Sequence, residues 1–223
     1  MGSGSSAITD ILSSFEGCKA PNGSYEYVFL HCPNGLFDLE DKLLCNNNAL
    51  RSDEAFSSFL STMKELYDSP FHWVGNYKRA ISRRFMDYSE QFIDSLIQYK
   101  SDNYWYHQEK HGWAAFPKLA LNKAFRALSS GKIQMTKPLR YSPMSIGFPT
   151  RESFYTAAKK YLVRIFNDMA EEGTWLILDQ LMLPHNLYRF DSYFDANAEC
   201  YVVDRDPRDV FLSNKYIWGP RDD

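Results

Sequence analysis

Four apolar residues, Cys200-Tyr201-Val202-Val203, run without a break into Asp204-Arg205-Asp206-Pro207-Arg208-Asp209-Val210-Phe211-Leu212-Ser213. That junction constrains the fold more than any other part of the chain. The apolar run predicts a short strand. Asp206 suits a helix N-cap, Pro207 the first helical position and Asp209 the third, so a helix is predicted to begin at Pro207. A strand that passes directly into a helix is the repeating step of an α/β domain. Other segments repeat it. Trp175-Leu176-Ile177-Leu178 reads as a strand buried on both faces. Residues 25–30 (Tyr-Glu-Tyr-Val-Phe-Leu) predict another, ended by the turn signal Cys32-Pro33-Asn34-Gly35. The expected fold class is therefore α/β, a parallel sheet with helices on both faces.

Amphipathic helices fill the intervals. Ile8, Ile11, Leu12 and Phe15 recur at helical spacing and predict one buried face, ended at Gly17. Ser52 is predicted to cap a helix that buries Phe56, Phe59, Leu60, Met63 and Tyr67 and stops at Ser69-Pro70. A second helix is predicted over 79–99 through Ile81, Phe85, Tyr88, Phe92, Leu96 and Tyr99, and a shorter one over 118–128. Thr150 opens a helix to about residue 172, with Phe154, Ala158, Tyr161, Leu162, Ile165 and Met169 inward. The 223 residues suit one α/β domain over 1–223, with the helices of roughly 52–130 as an insertion.

Charge and cysteine usage narrow the function. A net charge of −3 argues against a general nucleic-acid binder. No apolar stretch approaches the roughly 18 residues a membrane span needs, and no secretory signal is visible. The four cysteines show no CxxC pairing and read as free thiols of a reducing compartment, which predicts a cytoplasmic protein.

Two segments are built to hold anions. A basic residue beside the free N–H groups of a helix start makes an anion site, so Arg205 can fork onto a phosphate and Ser213 can add a hydroxyl. Near the N-terminus, Ser3-Gly4-Ser5-Ser6-Ala7 opens a helix with adjacent N–H groups, and glycine lets an anion approach the backbone. It is not a Walker A loop, because no Gly-Lys-Ser/Thr follows.

Arg205-Asp206-Pro207-Arg208-Asp209-Val210, with Ser213 eight residues after Arg205, resembles the 3′-phosphate-binding motif of sulfotransferases. Those enzymes use 3′-phosphoadenosine 5′-phosphosulfate as sulfuryl donor. Ser3-Gly4-Ser5-Ser6 resembles the family's 5′-phosphosulfate loop. The resemblance implies a P-loop-like sulfotransferase architecture and transfer to a hydroxyl acceptor, a carbohydrate or other small molecule, without a metal. It places Ser3, Gly4, Ser5, Ser6 and Ala7 on the phosphosulfate, and Arg205 and Ser213 on the 3′-phosphate. The family's base is a His or Glu near the carboxyl end of an early strand. His31 follows residues 25–30 directly and takes that role, with Glu26 in reserve.

The chain also departs from the family. Gly2 stands where the family usually has Lys or Arg, and no strand precedes the loop. The Met-Gly-Ser-Gly start also matches an added leader. The family's C-terminal nucleotide clamp has no counterpart, so the domain is expected to be incomplete at one end or the other. Two other readings stay open: a P-loop-like nucleotide or phosphate kinase, opposed by the missing loop Lys, and a non-catalytic nucleotide-binding relative, favoured by Gly2.

Further residues have a chemical and a plain reading. His107 and His111 lie at i, i+4 but lack a third metal ligand. His72 and His185 read as structural, His185 lying near a strand end. Arg79, Arg83 and Arg84 put positive charge on one predicted helix, usually a solvated face. Tyr104, Trp105, Tyr106 and Trp113 either pack or face an acceptor. Asp179 and Gln180, just past a strand, are pocket-facing candidates.

Overall fold

Aromatic side chains from three helices build the centre of the molecule. The computed structural model describes residues 4–23, 25–70, 74–101, 116–132 and 143–218. Helix α1 spans Ser5–Ser13, α2 Leu36–Leu44, α3 Ala49–Asp68, α4 Tyr77–Ala80 and α5 Phe85–Leu96. Then follow α6 (Phe116–Leu128), α7 (Arg151–Met169), a 3-10 helix (Pro184–Arg189), α8 (Phe190–Tyr193) and α9 (Pro207–Ser213). Helix α5 packs between α3 and α7, and α2 lies on α3. Phe59 and Met63, Phe85 and Phe92, and Phe154, Tyr161 and Ile165 are buried together. Phe92 and Tyr161 stack with ring centres 4.9 Å apart and planes 11° apart. Phe59 meets Phe92 edge-on at 5.8 Å. Such pairs contribute about 0.5–1.5 kcal/mol each beyond their burial. The Tyr161 hydroxyl, deep among them, shares a 2.9 Å hydrogen bond with Ser89.

The helix starts follow from local chemistry. The Thr150 side chain caps α7 by accepting from the Ser153 N–H. Asn48 does the same for α3 through Arg51. That helix thus starts before Ser52, which is buried in its first turns and donates back to the Ala49 carbonyl. The single helix expected over 79–99 is two. The break falls at Ser82, whose hydroxyl donates to Asp168 of α7, and Tyr99 leaves the helix for a strand.

The strands are short. β1 (Cys18–Lys19) pairs in parallel with β4 (Trp175–Leu176), and an isolated parallel bridge joins Glu26 to Asp179. β2 (Tyr99–Ser101) pairs antiparallel with β3 (Met144–Ile146). The chain is thus mixed α/β, and among the described residues its parallel sheet has two strands. Residues 25–30 contribute that one bridge and then turn, burying Tyr25, Tyr27, Phe29 and Leu30. Residues 200–203 form no strand; Tyr201 and Val202 are exposed. Trp175 is exposed and residues 176–178 are half-buried, not enclosed on both faces. Of the apolar face expected from residue 8 to 15, Ile8 and Leu12 are half-buried and Ile11 is exposed on α1, Phe15 lies exposed past its end, and Thr9 is the buried residue. The helix lies against β1, which is too short to cover that stripe.

One polar network ties the site's supports together. Arg189, at the end of the 3-10 helix, is buried and bonds Glu40 and Asp41 of α2. Tyr155 and Tyr193 also donate to Glu40. The segment after β4 is thereby fastened to the helix that follows residues 25–35. Gly35 closes that turn, because a Cβ there would stand 2.8 Å from the carbonyl oxygens of Cys32 and Phe29. Among the described residues no helix is long and apolar enough to cross a membrane.

Candidate functional site

Three segments distant in sequence meet just beyond β4. The Tyr27 N–H donates to the Asp179 carbonyl at 3.4 Å, continuing the parallel pairing of residue 26 with 179. The next residue, Gln180, has a left-handed backbone with φ +54°. Such a conformation costs a non-glycine residue about 1–2 kcal/mol, so the surroundings must hold it. Two contacts do so. The Gln180 carbonyl lies 2.9 Å from His31 Nε2, and its side-chain amide donates to Glu26 Oε1 at 2.8 Å.

The third segment is the start of α1. Gly4 takes φ +94° at the N-cap and no side chain caps the helix. The Ala7 N–H bonds back to the Gly4 carbonyl at 3.1 Å. Ser5, the first helical residue, donates its hydroxyl to Asp179 Oδ2 at 3.3 Å. An uncapped helix start with a glycine in the left-handed region suits an anion. The Asp179 carboxylate beside it does not, unless it holds a proton. Burial pushes that carboxyl up, against the opposing hydrogen bonds from Ser5 and the Gln180 N–H.

His31 sits in the turn after residues 25–30, its N–H bonded to the Val28 carbonyl at 3.0 Å. Burial lowers its pKa, and nearby His185 adds to the effect; the Gln180 carbonyl, its own carbonyl and Glu26 pull the other way without reversing it. The ring is therefore neutral near pH 7 and able to take a proton.

Of the predicted residues, Ser5, Glu26, His31, Asp179 and Gln180 come together. Gly4 adjoins them, while Ser6 and Ala7 are exposed on α1. Ser3 and Gly2 lie outside the described residues. The helix predicted from Pro207 forms as α9, with Asp206 as its cap accepting from the Arg208 N–H at 2.9 Å. Arg205 precedes it, exposed, and Ser213 ends it, half-buried. Helix α9 packs on residues 214–218 and buries none of its side chains. His185 is exposed on the 3-10 helix and bonds Asn186.

Arg79, Arg83 and Arg84 do not share one helix. Arg79 belongs to α4, whereas Arg84 precedes α5 as its N-cap residue and pairs with Asp168. His72, Tyr104, Trp105, Tyr106, His107, His111 and Trp113 lie outside the described residues. Among the described residues no three His, Cys, Asp or Glu side chains cluster as metal ligands. A separate open cleft of about 560 Å³ lies between α5 and α7, lined by Gln91, Lys160 and Arg164 among others.

Two features had no sequence signal. Glutamine has no preference for a left-handed turn, so the geometry at Gln180 is legible only in three dimensions. Arg189 sits in a loop-like stretch with nothing to mark it as buried. The chain matches no known family model, no curated protein and no solved structure.

Proposed function

We propose that the chain is a sulfotransferase that moves a sulfuryl group from 3′-phosphoadenosine 5′-phosphosulfate to a hydroxyl acceptor, a carbohydrate or other small molecule. The observation that carries this reading is the convergence of the α1 start with His31 through Asp179 and Gln180. The motif Arg205 to Ser213 supports it independently. The architecture in this reading is a P-loop-like sulfotransferase sheet flanked by helices, supported by the parallel pairing of β1 with β4. The cytoplasmic location rests on cysteine usage, with Cys18, Cys32, Cys45 and Cys200 as free thiols.

The chemistry is an in-line displacement. The acceptor oxygen attacks sulfur while the bond from sulfur to the 5′-phosphate oxygen breaks, and its electron pair leaves with adenosine 3′,5′-bisphosphate. Ser3, Gly4, Ser5, Ser6 and Ala7 would hold the phosphosulfate at the α1 start, the Ala7 N–H only by giving up its bond to the Gly4 carbonyl. Arg205 and Ser213 would hold the 3′-phosphate. His31 takes the acceptor's proton, and burial, which raises the Asp179 carboxyl, lessens its opposition to an anion alongside.

A non-catalytic nucleotide-binding relative is the second reading, because Gly2 supplies no cation for the leaving oxygen. Calorimetry with adenosine 3′,5′-bisphosphate and with ATP tests both. The bisphosphate should bind and Arg205→Ala should weaken it about ten- to hundredfold, as for loss of a charge-assisted fork of about 1.5–3 kcal/mol. Unchanged affinity in a folded Arg205→Ala protein, or a preference for ATP, overturns the assignment. Binding without sulfuryl transfer to any hydroxyl acceptor selects the second reading.

A further inference from the structure

We infer that Gln180 is the positioning residue for His31: its backbone carbonyl, held in a left-handed turn, fixes the imidazole as the Nε2–H tautomer and leaves Nδ1 as the proton-accepting atom. The chemistry is restrictive. A carbonyl oxygen only accepts hydrogen bonds, so the ring nitrogen 2.9 Å from the Gln180 carbonyl donates to it, in competition with the His31 carbonyl, which also lies against the ring. A neutral imidazole has a single N–H, and the other nitrogen then carries the lone pair.

The turn is what aims that carbonyl. Gln180 grips both partners of residues 25–31 at once, His31 through its backbone and Glu26 through its side-chain amide at 2.8 Å. With the parallel bridge between residues 26 and 179, these contacts over-determine a conformation that glutamine alone would avoid. Proton transfer to Nδ1 then balances simply. The acceptor hydroxyl loses its proton, His31 becomes an imidazolium, and the new positive charge meets its own backbone carbonyl and the Glu26 carboxylate, with His185 opposing.

This inference rests on the sulfotransferase reading only for the identity of the hydroxyl that loses the proton. Its test is a long-range 1H–15N correlation spectrum of the intact protein labelled with 15N-histidine. The spectrum is recorded at about pH 8, above the ordinary histidine pKa of about 6.5, and His31→Gln identifies the resonance. A single Nε2–H tautomer is expected at His31. An Nδ1–H tautomer, or a rapidly averaged mixture, overturns the inference.

Two variants extend the test. Valine is disfavoured at positive φ, so Gln180→Val should displace the carbonyl and mix the tautomers. It should lower kcat by about tenfold, part of the roughly 10²–10⁴ a general base supplies, and shift the acid limb of the pH profile with little change in bisphosphate affinity. Asparagine tolerates the left-handed region, so Gln180→Asn should keep the tautomer and the profile. The parent spectrum decides the matter even if Gln180→Val does not fold. A locked tautomer in a chain that transfers no sulfuryl group supports the positioning and overturns the proposed function. An averaged tautomer in an active chain does the reverse.

Discussion

Arg189→Met removes the cation from the buried network that fastens the 3-10 helix to α2. The Arg189 and Glu40 side chains are 7% and 9% exposed. The arginine bonds Glu40 and forks onto both oxygens of Asp41 at 2.9 Å. Asp41 is 52% exposed, so that half of the network is screened and worth little, at most about 1 kcal/mol. Glu40 is different, because water cannot replace the lost guanidinium. Among the described residues its carboxylate would keep the hydroxyls of Tyr155 at 2.6 Å and Tyr193 at 2.8 Å. Stranding one partner of a buried pair costs about 3–5 kcal/mol, and methionine, which restores packing, returns little of it. Urea unfolding followed by far-UV circular dichroism reads this directly: with a slope of about 2–3 kcal/mol per M, the midpoint should fall by roughly 1–2.5 M. The double variant Glu40→Gln/Arg189→Met should cost less than the two single changes together, by about 1–3 kcal/mol, since it strands no charge. A loss under about 1 kcal/mol for Arg189→Met, or strict additivity in the double variant, refutes the account of Glu40 as dependent on Arg189.

His31→Ala should lower sulfuryl-transfer turnover by about 10²–10⁴-fold while bisphosphate affinity by calorimetry stays near that of the parent; near-normal turnover in the folded variant excludes His31 as the base. Turnover should resist EDTA, and activity that returns only when a divalent ion is added back would point to phosphoryl chemistry instead. Asp168 is buried enough to be raised on that account, but hydrogen bonds from Ser82, Tyr88 and Arg84 outweigh burial and hold its carboxyl below the usual range. Its stabilising contribution is then present above the unfolded-state pKa of about 3.9 and lost as pH falls through the lower folded value. Thermal melts of the parent and of Asp168→Asn should differ by a constant amount above about pH 5, begin to close near pH 4 and meet only below the lowered folded value; a gap that does not narrow in acid contradicts the assignment.

Helix α7 was legible residue by residue. Its cap at Thr150 and its inward positions from Phe154 to Met169 stand where periodicity predicts, because capping and a 3.6-residue period are properties of adjacent residues. The start of α9 was equally local, Asp206 and Pro207 filling the positions their side chains and ring favour. The start of α3 is also local but was placed too late, since Asn48 and Ser52 are both competent caps and it is Asn48 that accepts from the Arg51 N–H. The split between α4 and α5 follows from Ser82 reaching Asp168, 86 residues away, which no window of sequence contains. Strands fared worst. The apolar runs at 175–178 and 200–203 were visible, but a strand exists only where a second strand pairs with it, and that partner is set by the whole fold. The candidate site divides in the same way. The chain by itself marked His31, Asp179 and Gln180 as polar residues at the ends of apolar segments, and Ser5 as part of a Gly/Ser loop opening a helix. Only the tertiary structure brought His31 to a carbonyl 149 positions distant, and turned Gln180 left-handed to meet it, because a backbone conformation that its own residue disfavours is held by contacts from elsewhere in the fold.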